Sequence, residues 1–169
     1  MTNNYKRTKE WLDLAFKNIE RVLKYYKDND YADTVFKIQL SIEQLQKALI
    51  FLLGMQFRKT HDPSEILETI EYNNSIKIEK KKIEQIKKIA ALAKDIEGEG
   101  ATTRYGIIKN DELITPEDKY DNIIVNKFLN DLKDVLINIY ELLKEIPDLE
   151  HELIKLLDFI KNFRDLLKK

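Results

Sequence analysis

Three polar side chains on one face of an otherwise apolar segment are the residues best placed to do chemistry in this chain. Gln39, Glu43 and Gln46 are spaced i, i+4 and i+7 within the segment YADTVFKIQLSIEQLQKALIFLLG, residues 31–54. That spacing puts all three on the same face of a helix, among isoleucine and leucine side chains. A carboxylate buried there needs a hydrogen bond or a cation, because an isolated buried charge is very costly. The row is therefore either a structural hydrogen-bond network or part of a binding site.

His61 is the second candidate, in a Thr-His-Asp motif, and is one of only two histidines in the chain. Asp62, Pro63 and Glu65 fit the N-cap, N1 and N3 positions of a capping box, so a short helix is predicted to begin there. Beside its cap aspartate, His61 is expected to stabilise the turn by hydrogen bonding rather than to catalyse a reaction. His151, predicted in the first turn of the last helix, is given no role.

Arg104 and Tyr105 complete the set of candidate ligand-binding residues. They lie in the longest stretch without a periodic pattern, residues 97–115, and loops of this length in compact domains are usually functional or disordered. We predict that the segment 101–106 folds over the central helix, so that Arg104 pairs with Glu43 and Tyr105 lines the same cavity. A guanidinium suits this pairing because it can form two parallel hydrogen bonds with a carboxylate.

The composition excludes several kinds of site. Because the chain has no cysteine and two histidines, thiol catalysis, disulfides, sulfur-ligated zinc and multi-histidine metal sites are excluded, and no cofactor is expected. The 29 lysines and arginines balance 30 aspartates and glutamates, which gives no support to a general nucleic-acid binder. No apolar run approaches the ~18 residues of a membrane span, and no apolar h-region follows MTNNYKRTKE, so we expect a cytoplasmic protein without membrane contact.

Periodic apolar residues predict an all-α protein of five to six helices, with no strand. The predicted helices cover residues 4–27, 31–54, 63–72, 76–96, 116–146 and 148–167, with restarts at 73–75 and caps at Thr115 and Asp148. We expect residues 1–146 to form one helical bundle. Residues 147–169 would then be an additional C-terminal helix packed on it.

The fourth predicted helix has a face rich in lysine, which is a candidate phosphate-binding stripe. Its members are Lys77, Lys80, Lys81, Lys87 and Lys88. Carboxylates at Glu79, Glu84 and Asp95 interrupt the stripe, and no aromatic residue is interleaved with it. This pattern favours a solvated face with local ion pairs.

Several motifs occur together and in order in this chain. They are W-L-D-L-A (Trp11–Ala15), Y-A-D-x-x-F (Tyr31–Phe36), Q-L-S-I-E-Q-L-Q-K-A-L (Gln39–Leu49), Gly54, T-H-D (Thr60–Asp62), and T-R-Y-G (Thr103–Gly106) before a long helix. In this combination the sequence resembles the HEPN domain family (higher eukaryotes and prokaryotes nucleotide-binding). Its most specific parts are E-x-x-x-K-A-L and T-H-D. The helix after Pro147 lies beyond the usual core of that family.

The resemblance implies an up-and-down helical bundle that is often dimeric and often encoded beside a small nucleotidyltransferase in a toxin–antitoxin pair. Many members are ribonucleases whose signature is an arginine, four to six residues, and a histidine. For His61 the arginine would have to be residue 54, 55 or 56, and these are Gly, Met and Gln. For His151 it would have to be residue 144, 145 or 146, and these are Lys, Glu and Ile. The signature is absent.

The sequence therefore leads to one main hypothesis and two alternatives. The main hypothesis is a HEPN-like binding and interaction module, a homodimer without catalytic activity of its own. It would bind a nucleotide or RNA and pair with a small nucleotidyltransferase. One alternative is a ribonuclease toxin with a diverged active site, and the other is a purely structural dimer.

Overall fold

Five helices of 18 residues or more carry the fold, and α2 lies at its centre. The computed structural model describes residues 2–74 and 76–168, with side chains from residue 4 onward. The long helices are α1 (Thr2–Lys27), α2 (Tyr31–Leu52), α4 (Lys80–Glu97), α7 (Asn122–Leu143) and α8 (Glu150–Leu167). The short elements are α3 (Ser64–Leu67), a 3-10 turn (Glu68–Tyr72), α5 (Thr102–Tyr105), β1 (Ile107–Lys109), β2 (Glu112–Ile114) and α6 (Pro116–Lys119). This is the all-α, HEPN-like bundle that the sequence predicts.

The central position of α2 follows from its apolar face. Helices α1, α4 and α7 all pack against it, and its core residues are fully buried: Val35, Ile38, Ile42, Leu45, Leu49 and Ile50. A tight turn joins α1 to α2, with Asn29 at φ 59° and the Asp30 side chain accepting a hydrogen bond from the Asp33 N–H. The two helices form the hairpin expected from the short connection.

The segment between α2 and α4 differs in detail from the prediction. Pro63 precedes the first residue of α3, and no side-chain cap bond forms there; the turn is held instead by the Asp62 N–H donating to Thr60 Oγ1. Helix α4 begins at Lys80 rather than near residue 76, because Glu79 is extended, with ψ 143°. Ile76 and Ile78 still pack on the core, which matches the two-residue period of an extended segment. The predicted restart at 73–75 includes Ser75, which lies outside the described residues.

Residues 107–114 form a small antiparallel hairpin, so the expectation of no strand was wrong. Ile108 pairs with Leu113, and Lys109 pairs with Glu112. The two loop residues, Asn110 and Asp111, have φ of 53° and 65°, as a two-residue type I′ turn requires. The hairpin lies outside the core: Ile108 and Leu113 are both exposed.

The predicted fifth helix is two helices, because the chain is extended at Tyr120. The buried Tyr120 ring places its hydroxyl 2.6 Å from Glu99 Oε2, to which it donates. Asp121 then caps α7 by accepting from the Ile124 N–H at 2.9 Å. The Thr115 cap of α6 is as predicted, since its side chain accepts from the Asp118 N–H.

The C-terminal helix α8 packs against α7 and α1. Asp148 does not cap it, because Asp148 adopts a left-handed conformation with φ 67° and Leu149 occupies the cap position. On this helix Phe159 is buried, whereas Leu157 is exposed. Within the described ranges, no helix is both long enough and apolar enough to span a bilayer.

Candidate functional site

A buried ion pair on α2 is the centre of the candidate site. Glu43 and Lys47 are one helical turn apart, and their side chains are only 7% and 8% exposed. Lys47 Nζ lies 2.5 Å from Glu43 Oε1, and it also lies over the Trp11 ring, 5.0 Å from its centroid. Two opposite charges at this distance stabilise each other in a place where water cannot hydrate them.

Two further side chains complete the Glu43 cluster, which consists of Glu43, Lys47, Gln39 and His61. Gln39 Nε2 donates to Glu43 Oε2 across 3.4 Å. His61 Nδ1 lies 3.3 Å from the same oxygen, although the histidine side chain is 72% exposed. The cluster therefore extends from the interior of α2 to the protein surface at the loop that carries His61.

Gln46 belongs to a second polar network. Its Nε2 donates to Glu97 Oε1 at 2.8 Å, and the Ser64 backbone N–H donates to the same oxygen at 3.1 Å. The Ser64 hydroxyl bonds the other carboxylate oxygen, Oε2. This network ties the ends of α2 and α4 to the start of α3.

Burial raises the pKa of the Glu97 carboxyl above its usual value of 4.5. The hydrogen bonds from Ser64 and Gln46 oppose that effect, and the negative charge of Asp62 adds to it. The amide oxygens Oε1 of Gln39 and Gln46 are buried without a hydrogen-bond partner among the described residues. A buried acceptor of this kind is costly and marks a place where a donor from a ligand or a water molecule fits.

Arg104 does not pair with Glu43, so this prediction was wrong. The Arg104 guanidinium lies over the Phe36 ring, 5.4 Å from its centroid, and Tyr105 is 75% exposed. Both line a surface cavity of about 380 Å³ with Phe36, Asp33 and Glu117. The segment 101–106 does contact α2, but it brings Arg104 to the first turns of that helix, about two turns before Glu43.

The structure thus brings Gln39, Glu43 and His61 together, places Gln46 in the neighbouring network, and puts Arg104 and Tyr105 elsewhere. Lys47, Ser64 and Glu97 are polar partners that the sequence interpretation missed. Lys47 had a readable signal, since a glutamate followed four residues later by a lysine is the favoured spacing for an ion pair on a helix. Ser64 and Glu97 had none, because Glu97 lies 33 residues from Ser64 and 51 residues from Gln46.

The Glu43–His61 contact has one chemical consequence. If His61 donates its Nδ1 proton to the carboxylate, the other ring nitrogen, Nε2, is the acceptor and faces solvent. A carboxylate–histidine pair of this kind orients an imidazole for proton transfer or for hydrogen bonding to a ligand.

Fold and site together define an all-α bundle whose central helix carries a buried charged network that reaches the surface at one loop. A family model described as "HEPN domain" matches residues 8–125 of the chain, which is more than half of its length. The chain belongs to the HEPN domain family.

A similar protein has a description that bears on function. The protein described as "Putative toxin MJ1304", from Methanocaldococcus jannaschii, is 28% identical over 142 residues, which are 84% of this chain and 91% of that protein. No solved structure matches the chain significantly.

Proposed function

We propose that this HEPN protein is a binding and interaction module of a toxin–antitoxin pair, without catalytic activity of its own. It acts as a homodimer, pairs with a small nucleotidyltransferase and binds a nucleotide or RNA. Membership of the HEPN family and the likeness to a protein described as a toxin support this assignment. The missing arginine–histidine signature supports binding rather than cleavage.

The observation that carries the proposal is the state of the charges in the Glu43 cluster. Phosphodiester cleavage needs a cation beside the phosphate as negative charge develops. Lys47, the only lysine or arginine in contact with Glu43 among the described residues, is buried and compensated by that carboxylate. An exposed His61 can still donate to or accept from a bound ligand, so the cluster suits recognition better than catalysis.

Two measurements test this proposal. Purified protein should shift the fluorescence anisotropy of a labelled single-stranded RNA or nucleotide and should leave the RNA uncut, compared with a mock preparation. Light scattering after gel filtration should give twice the chain mass. Ile154 and Leu157 are exposed on α8 and provide apolar surface for a dimer contact. A monomer that binds neither probe would contradict the proposal, whereas a dimer that binds neither would support the purely structural alternative.

The same cluster favours a second candidate function, a ribonuclease toxin with a diverged active site. Glu43 would orient His61 through the 3.3 Å contact, and the exposed Nε2 would act as general base. RNA cleavage that His61→Ala abolishes and Glu43→Gln reduces, with helical circular dichroism unchanged, would establish this function and overturn the non-catalytic one. His151→Ala is the matched control, because His151 is an exposed histidine on α8.

A further inference from the structure

An aromatic surface in contact with two basic side chains adjoins the Glu43 cluster. Phe51 and Phe57 stack with ring centroids 4.9 Å apart, and Trp11 lies 6.4 Å from Phe57. All three rings are half-buried, so part of each faces solvent. Helices α1 and α2 and the loop after α2 each contribute one ring to this aromatic surface (Trp11, Phe51 and Phe57).

Two basic side chains contact rings of the aromatic surface, and of these Arg7 is exposed whereas Lys47 is buried and paired with Glu43. The Arg7 guanidinium is 5.5 Å from the Phe51 centroid, and Lys47 Nζ is 5.0 Å from that of Trp11. The chain from residue 44 to residue 61 contains no aspartate or glutamate, while Phe57 is followed directly by Arg58 and Lys59. The acidic residues that flank this segment are Glu43, which is buried and paired with Lys47, and Asp62, which is exposed; Glu65 pairs with Arg58.

We propose that the aromatic surface is a stacking site for the bases of a single-stranded nucleic acid, whose phosphates contact Arg7 and Lys59. The exposed part of an aromatic cluster can stack with any base, and neighbouring cations attract the backbone. Lys59 is exposed and has no ion-pair partner within residues 2–74 and 76–168, so its charge is available for a phosphate. The excess of basic residues is confined to this segment, so it is compatible with the chain's overall net charge of −1.

This inference rests on the nucleic-acid binding in the proposed function and specifies its location. His61 lies in the same loop as Phe57 and beside Glu43. A strand stacked on the aromatic surface can therefore continue toward the exposed imidazole.

The single tryptophan of the chain provides a direct readout. Titration of the unlabelled protein with a short single-stranded RNA of mixed sequence should quench Trp11 fluorescence. Phe57→Ala should weaken binding by roughly tenfold, as loss of one stacking ring does. Phe57→Leu keeps an apolar side chain in the loop and removes the ring, so it should weaken binding similarly while circular dichroism shows an intact fold.

Charge variants and controls separate this site from others. Arg7→Gln with Lys59→Gln should weaken binding and reduce its dependence on salt concentration. Tyr72→Leu should leave affinity unchanged, because Tyr72 is an exposed aromatic residue outside the aromatic surface. The same titration with single-stranded DNA tests whether the 2′-hydroxyl contributes, since equal affinities would assign recognition to bases and phosphates alone.

Each negative result has a distinct meaning. If wild-type protein binds RNA but Phe57→Leu binds equally well, the aromatic surface is not the site, while the proposed function stands. Binding that Lys81→Glu with Lys88→Glu abolishes and Phe57→Leu does not would assign the strand to the lysine stripe on α4. If wild-type protein binds no nucleic acid, both this inference and the nucleic-acid part of the proposed function fail.

Discussion

At the scale of single residues, the most consequential feature is a buried ion pair between two residues of the central helix α2. Glu43 and Lys47 are both buried. Each is tolerated only because the other is present, since removing one partner leaves an uncompensated buried charge. The Lys47 ammonium group also lies over the Trp11 ring.

Lys47→Met should therefore destabilise the protein by roughly 3–5 kcal/mol, because it preserves the apolar stem and leaves Glu43 without its ammonium partner. Urea unfolding followed by circular dichroism measures the loss. Adding Glu43→Gln to Lys47→Met should recover part of it. Lys37→Met is the matched control on the same helix. Lys37 lies over the Phe36 ring and forms no ion pair with the residues that the structure describes, so its loss should cost about 1 kcal/mol or less.

The second prediction at this scale concerns Glu97, whose pKa is raised chiefly by burial. A raised pKa means that the folded protein binds this proton more tightly than the unfolded chain does, so protonation of Glu97 stabilises the fold. Its stabilising contribution is complete below the unfolded value of 4.5 and is lost as the pH rises through the folded pKa. Glu97→Gln stays neutral throughout. The free energy of unfolding of the variant, relative to wild type, should therefore increase in urea titrations as the pH rises above 4.5. A constant or falling difference would contradict this interpretation.

The residues of the polar row could be predicted from the sequence, but their partners could be predicted only in part. Helical spacing alone placed Gln39, Glu43 and Gln46 on a buried face, because periodicity is a local property. Arg104 has the chemistry of a suitable partner for Glu43, but the structure places its guanidinium over the Phe36 ring. The direction in which the 101–106 segment crosses α2 decides this pairing, and no local pattern encodes it.

At the scale of elements, the irregular stretch after α4 is built around one glycine. Gly106 has φ 72°, and a Cβ added there would lie 2.3 Å from the Ile114 backbone oxygen. Such a clash cannot be relieved by moving a side chain. Gly106 therefore allows α5 to end where the first strand of the hairpin begins.

Gly106→Ala should accordingly disrupt the hairpin, at a cost of roughly 1–3 kcal/mol for the strained conformation. Limited proteolysis should cut the variant faster within residues 106–115, while far-UV circular dichroism stays helical. Gly98→Ala is the control with the same side-chain change, because its added Cβ would meet only ordinary contacts, the nearest at 3.5 Å. Equal protease sensitivity of the two variants would show that the hairpin does not depend on Gly106.

The long helices were predictable because each carries an apolar stripe over many turns, whereas the short elements were not. The hairpin has three residues in each strand, which is too short for a periodic signal. Its one local sign was the Asn110–Asp111 pair, two residue types that tolerate positive φ. The break at Tyr120 depends on a hydrogen bond to Glu99, which lies 21 residues earlier in the chain.

At the scale of the whole molecule, the family match and the folded unit do not coincide. The HEPN match ends at residue 125, within the first turn of α7, whereas α8 begins 25 residues later, at Glu150. Yet α8 contributes four buried apolar side chains to the core shared with α7 and α1, namely Leu156, Phe159, Ile160 and Phe163. Phe159, for example, packs against Phe16 of α1, with 5.6 Å between the ring centroids.

A chain ending at residue 147 should therefore fail to fold stably, although it contains the whole family match. Burying four such side chains contributes roughly 6–12 kcal/mol, and the total stability of a domain is about 5–15 kcal/mol. Circular dichroism and gel filtration of residues 1–147 should show reduced helicity with a broadened thermal transition, or aggregation through the exposed face of α7. Phe163→Ala in the full chain is the graded test, with an expected loss of roughly 3–5 kcal/mol. A truncated chain as stable as the full one would show that α8 is an appendage to the bundle rather than a part of its core.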